Sequence, residues 1–148
     1  MSGSPIELTV TLAAPRERAF AALTEARHLM RWFCDECESD ARAGGALVMR
    51  WSRPGASPQP FVARWIAFDP PASASFEGGH SGYPGGSAGT VRFTLEAFAD
   101  GGTRLVMTHE TALGPEHDAL LHGWIIAWPR ALGRLALYLA PGAAGADA

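Results

Sequence analysis

The chain has 148 residues and a hydrophobic content of 47%, which suits one folded domain with its own core and excludes a disordered chain. Its formal net charge is -3 at pH 7, whereas a nucleic-acid-binding domain usually carries a basic face, so we expect no nucleic-acid partner. The most apolar stretch, residues 120–140, is interrupted by His122, Arg130 and Arg134, and we therefore expect no membrane span.

The N-terminal segment has the pattern of a strand followed by two short helices. It lacks the basic and apolar regions of a signal peptide, so a cytoplasmic location is the default expectation. Residues 6–12 alternate apolar and polar side chains, as in a strand with one wet face. Pro15 suits the start of a helix, and residues 16–23 carry an apolar stripe. Thr24 is a candidate cap for a second short helix over residues 25–33.

The middle of the chain has the periodicity of two that is typical of strands. After a turn at Gly44 and Gly45, the clearest candidates are residues 47–51, 61–68, 72–77, 89–99 and 103–110. We expect about six strands to follow the two helices. Residues 99–102 are a good hairpin connection between the last two. Residues 78–89 (GGHSGYPGGSAG) are too rich in glycine for a regular element, and we predict a mobile loop that could serve as a lid.

The C-terminal region has the pattern of one long helix. Apolar side chains recur at spacings of three and four, at Leu121, Trp124, Trp128, Leu132, Leu135 and Leu139. Pro115 is placed to open this helix, and Pro129 within it predicts a kink or a break. We expect a single domain over residues 1–140 and a disordered tail over residues 141–148.

These elements predict an α+β fold in which a curved antiparallel sheet of about 6–7 strands wraps around the long C-terminal helix. An antiparallel sheet with one wet face needs cover on its other face, and the long helix is the only predicted element large enough to provide it. Two short helices at one end of the sheet cannot fill the remaining volume. We therefore expect an apolar cavity between the sheet and the long helix.

Four stretches of the chain resemble a known superfamily and follow one another in its order. They are ELTVTLAAPRERAFAALTEARHLMRWF at 7–33, DARAGGALVMRW at 40–51, GGTRLVMTHE at 101–110 and HGW…AWPRALGRLALYL at 122–139. The chain resembles the SRPBCC (START-like, helix-grip) superfamily and, within it, the family named for the C-terminal domain of the heat-shock-protein-90 ATPase activator. The family's tryptophan near the start of the final helix corresponds to Trp124 or Trp128. The resemblance implies the helix-grip fold over nearly the whole chain.

For function, the resemblance implies three alternatives. The first is a domain that binds a small hydrophobic ligand, as members of the superfamily bind lipids, hormones and polyketides. The second is a stress-related, co-chaperone-like protein, which would bind a bacterial chaperone saturably and change its ATPase rate. The third is an enzyme of the cyclase or hydrolase type. A monomer and a homodimer are both compatible with the sequence.

Cys34 and Cys37 form a Cys-x-x-Cys pair. A structural zinc ion needs about four ligands, so the pair supplies half of a coordination shell and no second pair accompanies it. The two carboxylates between the thiols disfavour the low pKa of a redox-active cysteine. We therefore predict neither a metal site nor a cofactor.

His109 is the most informative histidine, because it shares the strand parity of Leu105 and Met107 and should face the interior. Such a histidine is either hydrogen-bonded within the core, or a polar anchor for a ligand or a general base. Glu110 has the opposite parity, so a catalytic partner has to come from another element. We assign no catalytic residue.

A set of mainly aromatic side chains lies on or near the predicted inward stripes. Aromatic rings fill a core, and they also form an apolar wall for a ligand, to which methionine adds an adaptable lining. The candidate cavity-lining residues are Trp32, Met49, Trp51, Trp65, Phe76, Phe93, Met107, His109, Trp124 and Trp128. They predict non-enzymatic binding of a small lipophilic molecule, with plain core filling as the alternative.

Overall fold

A computed structural model describes residues 5–52, 54, 59–80, 86–111 and 117–141, and all structural statements below concern these residues. Their order is one strand, two short helices, six strands and one long helix. The elements are β1 (Ile6–Leu12), α1 (Arg16–Thr24), α2 (Ala26–Trp32), β2 (Glu36–Ser39), β3 (Ala46–Arg50), β4 (Phe61–Asp69), β5 (Ser73–Gly79), β6 (Thr90–Ala97), β7 (Thr103–Glu110) and α3 (Asp118–Tyr138). The predicted α+β architecture is confirmed.

The strands form one antiparallel sheet in the order β1-β7-β6-β5-β4-β3-β2. In β7 the side chains of Leu105, Met107 and His109 are buried, whereas Arg104 and Glu110 are exposed. This alternation assigns one face of the sheet to the interior, because successive side chains of a strand point to opposite faces. The predicted inward parity of His109 is confirmed.

The core lies between the inner face of the sheet and α3. Trp65, Met107 and Leu135 are almost fully buried within one hydrophobic cluster that joins sheet and helix. A chain of aromatic contacts also crosses this interface, since Phe93 of β6 touches Trp128 of α3 with ring centroids 6.4 Å apart. The long helix is therefore held by apolar burial, which is the dominant favourable term in folding.

Strand β2 occupies residues that the sequence pattern did not single out. Its side chains are Glu36, Cys37, Glu38 and Ser39, which have no apolar alternation. It forms at the edge of the sheet by pairing with β3, where Cys37 lies opposite Met49. The pairing with β3 thus causes these residues to form a strand, because β-propensity depends strongly on the neighbouring strand.

Three local predictions need correction. The Thr24 hydroxyl donates to the Phe20 carbonyl within α1 at 2.8 Å and does not cap α2, whose N-cap residue, Glu25, makes no side-chain cap hydrogen bond. Gly78 and Gly79 belong to β5, so the predicted loop starts later than expected. Of the two outcomes predicted for Pro129, a kink or a break, the break is wrong, because α3 continues through this residue.

Some sequence predictions concern residues outside the described ranges. Residues 81–85 of the proposed lid, Pro115 and the tail residues 142–148 are among them. None of the described helices is long and apolar enough to cross a membrane.

Candidate functional site

A cavity of about 440 Å³ lies between α3, the end of α2 and the inner face of the sheet. Small-molecule sites are typically apolar concavities of about 300–1,000 Å³ with a few polar groups. Most of the wall here is aromatic or aliphatic, and its polar side chains include Gln59, His80, His109 and Arg134. The volume of the cavity lies within this range.

Six of the ten predicted residues line this cavity, namely Met49, Trp51, Phe76, His109, Trp124 and Trp128. The other four are not part of its lining. Phe93 and Met107 are buried in the core, and Trp32 lines a second cavity instead. Trp65 is also buried, and it touches Phe68, which packs against Phe20 of α1. Strand parity predicts the face of the sheet, whereas the position of α1 determines which end of that face is filled.

Sequence reasoning missed several residues of the wall. Phe61 lies opposite Met49 in the register of β3 and β4, so it shares the cavity face. Ala127, Ala131 and Arg134 line the cavity from one side of α3. Their spacings of four and three residues are those of one helical face, a signal that was present in the sequence.

His109 is held on both ring nitrogens. Its Nε2 lies 2.6 Å from the Ala88 carbonyl oxygen, and its Nδ1 lies 3.0 Å from the indole Nε1 of Trp128. A carbonyl only accepts and an indole N–H only donates, so Nε2 carries the proton and Nδ1 accepts. Burial lowers the pKa of His109, opposed by the hydrogen bond to Ala88. The residue is therefore a neutral, hydrogen-bonded wall residue whose nitrogens are not available to a substrate.

Phe33, at the end of α2, packs against residues on two sides of the cavity. Its ring stacks on Trp128 of α3 at 5.7 Å and meets Trp51 edge-on at 5.3 Å. Its carbonyl oxygen accepts a hydrogen bond from the Trp51 indole at 2.6 Å. The indole N–H groups of Trp51 and Trp128 are both hydrogen-bonded within the protein, so these three rings form an apolar part of the wall.

Cys34 is buried and Cys37 is half-buried at the junction of α2 and β2. The interaction of the two neighbouring thiols raises the pKa of Cys34 and lowers that of Cys37. The Cys34 thiol donates to the Leu29 carbonyl oxygen at 3.7 Å. Within the described part of the chain, no three His, Cys, Asp or Glu side chains come together as metal ligands do. Cys34 packs in the hydrophobic core and Cys37 lies opposite Met49 in the sheet, so the pair lies where the end of α2 joins the sheet edge.

A buried polar contact that sequence reasoning missed joins α2 to α3. His28 Nδ1 and the Tyr138 hydroxyl lie 2.6 Å apart, and both side chains are buried. Burial, assisted by the charge of Arg27, lowers the pKa of His28. Buried polar groups are expected to be hydrogen-bonded, so this pair specifies how the two helices meet.

Stability is expected to fall as the pH is lowered through the ordinary histidine pKa. In the unfolded chain His28 and His109 would protonate near the ordinary pKa of 6.5, whereas the folded-state pKa of each is lower. The unfolded state therefore binds more protons in the interval between these values. The contribution of these two histidines to the free energy of unfolding is fully present above pH 6.5 and is lost as the pH falls toward their folded-state pKa. Each histidine contributes at most about 1.4 kcal/mol per pH unit.

Urea unfolding between about pH 8 and about pH 5 measures this slope. A variant carrying both His28→Gln and His109→Gln should show a shallower slope than the wild type across the same range. Equal slopes in the two proteins would contradict the assignment to these histidines.

A curved antiparallel sheet that grips a long C-terminal helix and leaves a cavity between them defines a protein of the SRPBCC, helix-grip class. The family model described as "Activator of Hsp90 ATPase homolog 1-like protein" matches residues 13–140. The chain therefore belongs to the Activator of Hsp90 ATPase homolog 1-like family, which confirms the resemblance seen in the sequence. No curated protein matches the sequence.

Solved structures share this fold. The Aha1 dimer from Colwellia psychrerythraea is 18% identical with a TM-score of 0.78, and the match covers 95% of this chain and 98% of that one. A Rhodobacter sphaeroides protein is 24% identical with a TM-score of 0.77, covering 94% and 96%. CalU16 from Micromonospora echinospora is 23% identical with a TM-score of 0.71, covering 93% and 76%. At these identities the likeness establishes the fold alone.

Proposed function

We propose that the protein binds a small lipophilic molecule in the cavity beneath α3 and does not transform it chemically. The observation that carries the proposal is the cavity itself, which has a volume of about 440 Å³ and a wall built mainly from aromatic rings and Met49. A closely packed core leaves few voids larger than a water molecule. An apolar space of this size is better explained by a ligand than by imperfect packing.

The expected affinity follows from the apolar surface that such a ligand would bury. About 300 Å² of buried apolar surface is worth about 7–8 kcal/mol at about 25 cal/mol/Å². Lost translational and rotational freedom offsets part of this gain. Affinity in the range of about 1 μM to 1 mM is therefore reasonable without any covalent contact.

The state of His109 favours binding over catalysis. Both of its nitrogens are hydrogen-bonded to the protein, to Ala88 and to Trp128. A general base has to reach the proton that it removes, and His109 would first have to give up one of these bonds. The enzyme interpretation thus loses its only candidate residue.

The co-chaperone interpretation draws its support from the description of the family, and the homodimer interpretation from the dimeric Colwellia psychrerythraea relative. Neither conflicts with a ligand in the cavity. Among these functions, ligand binding is the one supported by the geometry of this chain's own residues.

A tryptophan at position 127 is expected to block the cavity. Ala127 lies on the cavity-facing side of α3, and the bulk of an indole there would compete with a ligand for space in the cavity. Titration with the neutral fluorophore N-phenylnaphthylamine should give saturable binding to the wild type and binding weakened at least about tenfold in Ala127→Trp.

Leu137→Trp is the matched control, because Leu137 is 72% exposed on the same helix and is not part of the cavity lining. It adds the same fluorescent, apolar side chain and should leave the affinity unchanged. If the wild type does not bind the probe saturably, or if Ala127→Trp binds it as the wild type does, the proposed site is wrong.

A further inference from the structure

A second cavity, of about 660 Å³, adjoins the first along α2 and α3. Phe33, Trp51, Ala127 and Arg134 line both cavities. These shared residues lie where the apolar inner space meets the outer groove, and we call this boundary the passage. A molecule in the inner cavity that extends into the groove would therefore pass Arg134.

The charged side chains along this path are mainly positive. Among the described residues, Arg134 is the only Lys, Arg, Asp or Glu in the lining of the inner cavity. The outer groove adds Arg31 and Arg130, and Asp35 is the only acidic residue in the described part of its lining. One Asp35 oxygen already accepts a hydrogen bond from the Ser52 backbone N–H at 2.7 Å. On a chain with a net charge of -3, the groove is a local concentration of positive charge.

Four other arginines of the surface are ion-paired, whereas the arginines of the groove, like Arg16, Arg50 and Arg92, form no ion pair within the described residues. Arg27, Arg42, Arg64 and Arg104 each form an ion pair with a neighbouring acidic side chain. Within the described ranges, Arg31, Arg130 and Arg134 form no such pair. Three guanidinium groups around one groove thus have no ion-pair partner among the described residues, although Asp35 lines the same groove.

Arg134 is also oriented by the protein. Its Nε donates to the Trp32 carbonyl oxygen at 2.9 Å, which fixes the side chain at the passage. The bond uses one N–H, and the terminal nitrogens make no further hydrogen bond to the described residues. A guanidinium group presents its donors in a planar fork that matches the two oxygens of a carboxylate. Arg134 is thereby prepared to receive an anionic group at the end of an apolar ligand.

We propose that the ligand is an amphipathic carboxylate, whose apolar part fills the inner cavity and whose carboxylate is bound by Arg134 at the passage, with Arg31 and Arg130 attracting it from the groove. This inference rests on the proposed ligand-binding function and adds the chemical class of the ligand. Since the groove is exposed, the ion pair is expected to contribute modestly to affinity and to weaken as salt screens it.

Dodecanoate and dodecanol test the carboxylate directly, because they share one chain and differ in the head group. Each is titrated against protein loaded with N-phenylnaphthylamine, and its apparent Kd is obtained from the displacement of the fluorophore. Arg134→Gln should weaken dodecanoate about fivefold, the scale of an exposed ion pair, and leave dodecanol unchanged. Arg134→Lys, which keeps the charge, should recover part of the loss.

Arg92→Gln is the matched control for charge. Arg92 is exposed on β6 between the inward-facing Val91 and Phe93, so the substitution removes one positive charge from the opposite face of the sheet. It should leave both affinities unchanged. If Arg134→Gln weakens both ligands equally, or neither, the carboxylate assignment is wrong while the cavity remains a binding site. If neither the fluorophore nor dodecanol binds the wild type, the proposed function fails together with this inference.

Discussion

Replacing Trp128 by alanine is expected to lower the free energy of unfolding by about 3–5 kcal/mol, the range for a large buried aromatic side chain. The side chain is 7% exposed. It stacks on Phe33, touches Phe93 edge-on and donates to His109. Truncation removes all three contacts, enlarges the cavity and leaves a buried nitrogen of His109 without a donor, which adds a desolvation cost. Urea or guanidinium unfolding measures the change.

Two variants separate the contributions. Trp128→Phe retains most of the ring and removes the N–H, so it should cost about 1–3 kcal/mol, the penalty for an unsatisfied buried acceptor. Trp124→Ala is the control on the same helix, because Trp124 is only half-buried and should cost less than Trp128→Ala. If Trp128→Ala were no more destabilising than Trp124→Ala, Trp128 would not be the residue that anchors α3 to the sheet.

The position of Trp128 shows which structural features the spacing of apolar residues predicts and which it does not. Spacings of three and four place Trp124 and Trp128 on one stripe of α3, and both do face the cavity. The pattern does not distinguish them, since the depth of each depends on where α2 ends and where Phe33 stacks. The helical period predicts which side of α3 a side chain faces. The buried fraction of that side chain depends on elements that are remote in sequence.

The site itself was predictable only in part, for the same reason. Met49, Trp51 and Phe76 were accessible through the alternation of their strands. Arg134 was not, because its role at the passage follows from two cavities meeting there and from the hydrogen bond to the Trp32 carbonyl, 102 residues away in the chain. Strand β2 was missed because its polar sequence has no apolar alternation, and the strand forms through its pairing with β3 at the sheet edge.

Gly89→Ala is expected to lower the free energy of unfolding by about 2–5 kcal/mol, combining backbone strain with a steric clash. Gly89 has a φ of +94°, and a Cβ there would lie 2.0 Å from the Glu110 carbonyl oxygen. Since that oxygen belongs to the backbone of β7, it cannot rotate away as a flexible side chain would. The clash would separate the start of β6 from the end of β7, where Thr90 pairs with Glu110.

The same substitution should also disturb ligand binding, because the preceding residue is part of the site. Ala88 lines the cavity and its carbonyl oxygen accepts from His109. Displacing Gly89 would move this carbonyl, so the affinity for N-phenylnaphthylamine should fall even under conditions where the variant is fully folded. Circular dichroism establishes folding at the temperature of the titration.

Gly101→Ala is the control that separates the cost of backbone strain from the cost of a steric clash. Gly101 has a φ of +93°, nearly that of Gly89, but a Cβ there meets nothing within 4 Å. It should cost about 1–2 kcal/mol, the penalty for an L-residue in the left-handed region, and leave probe binding unchanged. Equal losses of stability in the two variants would show that the Glu110 contact does not constrain Gly89. A larger loss in Gly89→Ala, accompanied by weaker binding, would tie the junction of β6 and β7 to the wall of the cavity through Ala88 and His109.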